Sequence, residues 1–373
     1  MNDFSRIHDL YASLRRSGGT GVLATVVRTS GSTYRRAGAR MLLTSDGRSA
    51  GLISGGCLES DLRARSADVL RTGKPLLVRY DSTSPDDVLW GLGLGCPGIA
   101  EVLLERVSGM EECTALEFIE ECRRLRSAGA IAFPYTLTGP TGDLVGSRVF
   151  VREGLAPKGG PAGDPLAGAL GGACSSALGA QKSSQLSVTL PGGKAEAFIE
   201  YVSPPVLLFV FGAGPDAAPL VRLAKELGWY VTVVDRRSAY LTKESFPSAD
   251  ELVLAHPGET RDALAVPPGA VAVIMTHNFD TDVALVRTLL ASAASYVGLL
   301  GPRAKADLLL GRLAEEGIMP TEDETRRFHS PVGLDIGAET PEEIALAIVA
   351  EILSTLHERP GTPLRHRAGP IHR

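Results

Sequence analysis

The sequence predicts an α/β protein whose C-terminal part is a Rossmann-like, doubly wound parallel sheet and whose N-terminal part is a mixed α+β domain. Three observations support this fold class. Val206–Phe211 is a continuous apolar run, as expected of a parallel strand buried on both faces. The glycine-rich turn Gly212-Ala213-Gly214 follows it directly. From there, strand-like and helix-like segments alternate to the helical pattern at about Pro341–His357.

The composition of the chain shifts at Glu153–Ser184, which is rich in Gly, Ala, Pro and Ser. This stretch shows neither helical nor strand periodicity, so we predict an exposed linker or disordered loop. The predicted organisation is an N-terminal domain over residues 1–152, a linker over 153–184, a strand segment joining the domains over 185–204, and the Rossmann-like domain over 205–373. The N-terminal domain should open with a helix near Asp3–Arg16.

Charge and cysteine content exclude several functional classes. The net charge is -5 and no basic stripe is present, so we expect no nucleic-acid partner. The longest apolar runs are strand-sized, which excludes a membrane partner. The start of the chain lacks a basic region followed by an apolar run, and we therefore expect a cytoplasmic protein. The five cysteines form no CxxC pair, which disfavours disulfides and structural zinc and agrees with reduced thiols.

The turn at Gly212 fits the dinucleotide-binding fingerprint G-x-G-x-x-A, with Gly212, Gly214 and Ala217 at the three small positions. Its position between a predicted strand and a predicted helix makes it a candidate phosphate site, because helix N-termini attract anions. The alternative is a tight turn without a ligand. Asp235 ends the next strand and could accept a hydrogen bond from a ribose hydroxyl. Arg237 could bind another phosphate. Here the alternative is a solvated loop.

Further candidates follow later strands, where a doubly wound sheet places its ligands. Thr276 and His277 follow the fourth strand, and Gly301 and Arg303 follow the fifth. His277 can exchange a proton near neutral pH, and Arg303 can clamp a phosphate. Each of these residues could instead serve as a cap, a turn or a buried histidine. Their shared placement favours a binding role.

Two glycine-rich loops in the N-terminal part contain cysteines. Cys57 follows Gly55 and Gly56 and precedes a predicted helix, where a thiol pKa is lowered and a soft metal or sulfur could bind. Cys96 lies in a second glycine cluster. The alternative for either thiol is a small buried hydrophobe. The loop containing Ser32 and Arg35 is a candidate anion site, or a solvated loop.

These blocks together resemble the XdhC/CoxI family, the accessory proteins of xanthine dehydrogenase and related molybdenum hydroxylases. The resemblance covers nearly the whole chain apart from the predicted linker. It rests on residues 31–41, 51–59, 93–98, 211–214, 233–237, 275–277, 296–301 and 331–345. Two positions depart from the family pattern. Pro215 stands where many members have His, and Pro97 stands where shorter members have Gly.

The resemblance implies a chaperone that binds the molybdenum cofactor, as molybdopterin or its dinucleotide form. It implies protection of the cofactor while a cysteine desulfurase adds sulfur, followed by delivery to a xanthine dehydrogenase/aldehyde oxidase-type large subunit. A homodimer is a further expectation from the family. We expect a carrier rather than an enzyme and assign no catalytic residue. The Rossmann part would hold the cofactor phosphate or nucleotide, and Cys57 and Cys96 would face the molybdenum.

The sequence is compatible with two other functions. One is an NAD(P)-dependent oxidoreductase, which the Gly212 turn and His277 would suit. The other is a scaffold that brings the desulfurase and the hydroxylase together without binding the cofactor.

Overall fold

The computed structural model describes residues 3–56, 58–82, 98–110, 114–137, 147–160, 165–190, 193–256 and 266–368. The chain divides into two units, Asp3–Pro204 and Pro205–Arg373. Cys57 and Cys96 lie outside the described residues.

The N-terminal unit contains two five-stranded antiparallel sheets. The first has the strand order β3-β2-β1-β5-β4. Its strands are β1 (Thr20–Gly31), β2 (Arg40–Thr44), β3 (Ser49–Gly51), β4 (Leu76–Asp81) and β5 (Gly98–Ser108). Helix α1 (Asp3–Ser17) buries Ile7, Tyr11 and Leu14 against one face, and helix α2 (Glu59–Thr72) covers the other. The predicted first helix is therefore present.

The second sheet has the order β8-β7-β6-β10-β9. Its strands are β6 (Gly129–Leu137), β7 (Val149–Arg152), β8 (Lys158–Gly159), β9 (Ser184–Leu190) and β10 (Gly193–Val202). Helix α3 (Thr114–Leu125) contributes Ile119 and Cys122 to a core shared by both sheets. The segment 185–204 does not join two domains, because β9 and β10 pair within this sheet and β10 pairs with β6.

The predicted linker over 153–184 is wrong for most of its described length. Pro165–Ala180 forms helix α4, which packs on the second sheet. Leu166, Leu170 and Cys174 are buried there among strand residues. Small residues dominate this helix, so its composition is that of a linker although its position is that of a core element.

The C-terminal unit is built on a six-stranded parallel sheet of order β13-β12-β11-β14-β15-β16. Its strands are β11 (Leu207–Phe211), β12 (Tyr230–Asp235), β13 (Glu251–Leu254), β14 (Val271–Ile274), β15 (Tyr296–Leu299) and β16 (Phe328–His329). Its helices are α5 (Ala217–Glu226), α6 (Phe279–Leu290), α7 (Arg303–Glu315), α8 (Glu322–Arg327) and α9 (Pro341–Leu356).

Helices cover both faces of this parallel sheet. Helices α5 and α9 pack on one face, and α6 and α7 pack on the other. Helix α9 begins at Pro341, the predicted start, and carries a capping box between Thr340 and Glu343 with proline in its first turn. The α/β class and the doubly wound C-terminal sheet are confirmed.

No helix among the described residues is long and apolar enough to cross a membrane.

Candidate functional site

The carboxyl edge of the parallel sheet brings together most of the candidates predicted in the C-terminal unit. Gly212 follows β11, Asp235 ends β12, and Thr276 and His277 follow β14. They line one cleft of about 240 Å³, which we call the Asp235 cleft. Its lining is Phe211, Gly212, Val234, Asp235, Arg236, Arg237, Ala255, Thr276, His277, Asn278, Thr281 and Leu285.

Only glycine fits at position 212. Its φ of 119° lies in the region that L side chains avoid, and a Cβ there would lie 2.6 Å from the Met275 carbonyl oxygen. The Gly212 amide donates to the Val234 carbonyl at 2.8 Å, and the Ala213 amide donates to Asp235 Oδ2 at 2.7 Å. Two amides of the turn are thus committed to the protein itself.

The Asp235 carboxylate accepts four hydrogen bonds from the protein. Oδ1 accepts from the Arg237 amide at 2.8 Å and from Arg237 Nε at 3.0 Å. Oδ2 accepts from the Ala213 amide and from Arg237 Nη2, the latter at 2.9 Å. Burial alone would raise the pKa of Asp235, but the hydrogen bonds from Arg237 and Ala213 outweigh it and lower that pKa below 3.8. Asp235 therefore fastens the glycine turn to Arg237.

A second acid lies beside the glycine turn. Asp216 Oδ2 is 3.4 Å from His277 Nε2, and a Cβ on Gly214 would collide with Asp216 Oδ1. The intervening Pro215 has no amide hydrogen to offer an anion. A phosphate at this turn would meet the Asp216 carboxylate, so the phosphate role predicted for Gly212 and Gly214 stays a prediction.

A neighbouring groove continues from Thr276 and His277 along the same edge. We call it the Gly301 groove, and its lining is Thr276, His277, Phe279, Leu300, Gly301, Pro302 and Lys305. Arg303 is exposed at the start of α7 and is not among these residues. The structure thus brings Gly301 to the candidate site and leaves Arg303 outside its lining.

A buried ion pair that the sequence did not reveal supports this groove. Asp282 is fully buried, and its Oδ2 lies 2.5 Å from Lys305 Nζ. Thr276 donates its hydroxyl to the same carboxylate. Burial raises the pKa of Asp282 above 3.8, although Lys305 and Thr276 partly offset it. One signal was available: Asp282 shares the inward face of α6 with Val286 and Leu289, an unusual position for an acid.

The block around His329 packs within the C-terminal unit. The His329 ring stacks on Tyr296 with centroids 4.2 Å apart, and Nδ1 lies 3.5 Å from Glu351 Oε1. Glu351 also accepts from the Gly333 amide at 2.9 Å. These contacts give His329 a structural role, since they tie the loop before α9 to that helix.

The predicted residues of the N-terminal unit meet at a cavity of about 160 Å³, which we call the Ser54 cavity. Its lining is Val26, Ser32, Thr33, Tyr34, Arg35, Ile53, Ser54, Gly55, Leu58, Tyr80, Ser82, Gly98 and Ala100. Ser32, Arg35 and Gly55 are thus brought together. Gly56 follows Gly55 on the exposed side and is not in the lining.

Glu59 closes the loop that carries Ser54. Its carboxylate accepts from the amides of Ile53 at 3.2 Å and Ser54 at 2.7 Å, and from the Ser54 hydroxyl at 2.5 Å. The Ser54 oxygen in turn accepts from the Leu58 amide at 2.9 Å. Burial would raise the pKa of Glu59, but the hydrogen bonds from Ser54 dominate and lower it. The loop around Gly55 is therefore fixed at both ends.

The far wall of the cavity is held by Ser82 and Gly98. The Ser82 hydroxyl donates to the Gly98 carbonyl at 2.7 Å, and the Gly98 amide donates to Ser82 Oγ at 2.9 Å. A Cβ on Gly98 would collide with the Ser32 carbonyl oxygen, so only glycine allows this approach. Three sequence blocks that lie far apart in the chain thus line one cavity.

Two polar side chains of this cavity are already paired. Tyr80 donates to Asp61 at 2.6 Å, and Arg35 forms an ion pair with Asp3 at 2.7 Å. Arg35 and Asp3 are each about one-third exposed, so this pair can open to a ligand at modest cost. The roles of Tyr80 and Ser82 were missed because their partners are distant in sequence.

Both described cysteine side chains are buried, which disfavours their thiolate forms. Burial raises the pKa of Cys122 to about 11 and that of Cys174 to about 12. Among the described residues, no group of three or more His, Cys, Asp or Glu side chains could hold a metal ion. The predicted molybdenum-side contacts of Cys57 and Cys96 fall outside the described part and stay predictions.

Comparisons with known proteins extend over nearly the whole chain. The model described as "XdhC and CoxI family" matches residues 14–81, and the model described as "XdhC Rossmann domain" matches residues 208–352. A Bacillus subtilis (strain 168) protein, named as a probable subunit of xanthine dehydrogenase, is 35% identical over 348 residues, 93% of this chain and 97% of that protein.

Two further similarities span the same length. The Escherichia coli (strain K12) protein named "Molybdenum cofactor insertion chaperone PaoD" is 22% identical over 348 residues, 92% of this chain and 86% of that protein. A crystal structure described as a xanthine dehydrogenase from Bacillus halodurans is 30% identical, with a TM-score of 0.75 over 98% of this chain and 99% of that one. Both units are therefore shared with a solved structure.

Proposed function

The chain belongs to the XdhC and CoxI family, and on that premise we propose that it carries the molybdenum cofactor as cargo for the maturation of a xanthine dehydrogenase. The names of two relatives support this role. The Bacillus subtilis relative is named as a subunit of xanthine dehydrogenase, and the Escherichia coli relative is named as a chaperone that inserts the molybdenum cofactor.

The observation that carries the proposal is the Ser54 cavity. Its lining combines the apolar side chains of Val26, Ile53 and Leu58 with several hydroxyl-bearing side chains. A pterin is flat, with apolar faces and a hydrogen-bonding edge, and such cavities bind it through few, well-placed polar groups. The Arg35 guanidinium suits an anionic group of the cargo.

The chain position of the two glycine-loop cysteines adds to this support. Cys57 directly follows Gly56, next to cavity residue Gly55, and Cys96 precedes cavity residue Gly98 by two positions. Thiolates are soft ligands that suit soft metals and sulfur. We propose that these thiols serve the molybdenum side of the cargo while sulfur is added by a separate desulfurase.

A carrier of this kind needs no chemical step of its own. Apolar walls exclude water from the cargo. The hydrogen bonds from Ile53 and Ser54 to the Glu59 carboxylate keep the loop at Gly55 in place before the cargo arrives. Delivery follows when the client dehydrogenase binds the cargo more tightly than the carrier does. We assign no catalytic residue.

The experiment is a retention assay. Purified protein is mixed with isolated molybdenum cofactor, passed through a desalting column, and the protein fraction is assayed for pterin fluorescence. Wild-type protein should retain the cofactor, and Tyr34→Ala and Cys57→Ser should each weaken retention about tenfold or more, the equivalent of about 1.4 kcal/mol. Leu308→Ala, at an exposed position in the C-terminal unit, should retain it normally.

Two outcomes would contradict the proposal. One is that wild-type protein retains no cofactor. The other is that Tyr34→Ala and Cys57→Ser both retain it as well as Leu308→Ala does.

A further inference from the structure

We propose that the Asp235 cleft binds a 2′-phosphorylated nicotinamide dinucleotide, a ligand distinct from the cargo of the N-terminal unit. The cleft lies at the carboxyl edge of the parallel sheet, where the strand order reverses between β11 and β14. Gly212 and Thr276 come from those two strand ends. Ligands of doubly wound sheets bind in the crevice at this point.

One side of the cleft suits a nucleobase. Val234, Ala255 and Leu285 supply apolar surface from β12, from the end of β13 and from α6. Asn278 and Thr281 lie at the start of α6, where the Asn278 side chain accepts from the Thr281 amide at 2.9 Å. A flat base would contact the apolar side chains and leave its polar edge toward these residues.

The hydrogen bonds already made by the Asp235 carboxylate determine whether the cleft favours a ribose with a 2′-hydroxyl or one with a 2′-phosphate. An acid at this position ordinarily takes a hydrogen bond from a 2′-hydroxyl. Here all four hydrogen bonds to the carboxylate come from the protein, through Ala213 and Arg237. The 2′-hydroxyl of an unphosphorylated ribose would therefore find no free acceptor on Asp235. The cleft lacks the hydrogen bond that ordinarily favours an unphosphorylated dinucleotide.

Two arginines at the same place favour a phosphate. Arg237 neutralises Asp235, and its guanidinium lies 4.4 Å from the Tyr240 ring centre, which holds it in position. Arg236 lines the cleft, is exposed, and makes no ion pair with any residue of the described ranges. The sum over Asp235, Arg236 and Arg237 is one net positive charge, and guanidinium groups bind phosphate with two parallel hydrogen bonds.

The Gly301 groove provides room for the second half of a dinucleotide. It shares Thr276 and His277 with the Asp235 cleft, so a dinucleotide that spans both would place its pyrophosphate beside these two residues. It would not use the Gly212 and Ala213 amides, which are already bonded within the protein. The groove ends at Lys305, whose ammonium is fixed between Asp282 and the Leu300 carbonyl at 3.0 Å. The proposal concerns binding alone and includes no redox step.

The experiment compares NADPH with NADH by isothermal titration calorimetry on the full chain. NADPH should bind at least about tenfold more tightly than NADH, because a charge-assisted contact to the extra phosphate is available only to NADPH. Arg236→Ala should weaken NADPH binding by about tenfold and leave NADH binding unchanged. Arg222→Ala, an exposed arginine on α5, is the matched control and should change neither.

Equal affinities for the two nucleotides would overturn the proposal, as would the absence of binding by either at millimolar concentration. Because Arg236 lies in the C-terminal unit, Arg236→Ala should keep normal cofactor retention in the fluorescence assay. The two proposals can thus fail separately.

Discussion

The two units bury different kinds of side chain between their layers. In the N-terminal unit, Arg40 from the first sheet pairs with Glu200 from the second, and Arg148 pairs with Glu105. Both guanidinium groups lie over the Phe133 ring, at 5.2 and 4.8 Å from its centre. In the C-terminal unit, the central strands β11 and β14 are instead apolar on both faces.

This difference determines how each unit tolerates change. Removing one partner of a buried ion pair strongly destabilises a protein, because the remaining charge has neither water nor a partner. An apolar layer loses stability only in proportion to the surface and volume removed. The core between the two N-terminal sheets should therefore depend on a few complete pairs. The central strands of the C-terminal unit should depend on many small apolar contacts, with its buried Asp282–Lys305 pair lying at the sheet edge.

The largest effect should come from breaking one pair in the N-terminal unit. Arg40→Met leaves Glu200 buried without its partner, and we expect a loss of about 3–5 kcal/mol in the free energy of unfolding, measured with urea. Arg71→Met removes an exposed pair with Asp68 and should change stability by less than about 1 kcal/mol.

The double variant Arg40→Met/Glu200→Leu sharpens the test. It replaces the whole pair by apolar side chains and should recover most of the loss. If Arg40→Met alone lowers the free energy of unfolding by less than about 1 kcal/mol in the same urea measurement, the Arg40–Glu200 pair does not stabilise the N-terminal unit as expected.

The next largest loss of stability should come from truncating a buried side chain of helix α4. Leu170 is buried against the second sheet, so Leu170→Ala should lower the free energy of unfolding by about 2–5 kcal/mol. Leu155 lies in the same glycine- and alanine-rich stretch but is about half exposed, so Leu155→Ala serves as the matched control. Equal, small losses for both would mean that this stretch behaves as a linker after all.

The failure to predict α4 has a physical cause. Leu166, Leu170, Cys174 and Ala177 recur at helical spacing. The residues between them are small, and only Ser175 and Ser176 are polar, so no continuous polar face marks the pattern. The parallel sheet was predictable because its apolar strands are bounded by glycine turns. A sheet edge shared by several strand ends follows directly from that topology.

The chemistry of the candidate sites was less predictable than their location. The residue types at Gly212, Asp235, Thr276 and Gly301 were found from their order after successive strands. The sequence could not show that the Asp235 carboxylate is used by Ala213 and Arg237, because this depends on the turn geometry. The roles of Tyr80 and Ser82 could not be predicted for the same reason, since their partners are brought near only by folding.

The smallest effect tests the carboxylate of Asp235, which holds the glycine turn at the edge of the parallel sheet. Asp235→Asn replaces two acceptor oxygens by one, so donors from Ala213 and Arg237 lose a partner. We expect a loss of about 1–3 kcal/mol in unfolding free energy at pH 7. Urea unfolding of wild type and variant across pH measures it.

The pH dependence has a definite sign. The pKa of Asp235 is lower in the folded protein than its ordinary value of 3.8, so its stabilisation is complete above that value and is lost as the pH falls through the folded pKa. The difference between wild type and Asp235→Asn should therefore narrow below about pH 4. A difference that is constant or widens toward acid would contradict the arrangement of donors around Asp235.

The most direct test of the central claim, that the cargo belongs to the N-terminal unit and the nucleotide to the C-terminal unit, is native mass spectrometry of the full chain with molybdenum cofactor and NADPH together. We expect a species that carries both molecules on one chain. If NADPH instead displaces the cofactor, so that no doubly loaded species forms at saturating concentrations of both, the two share one site and the claim is wrong.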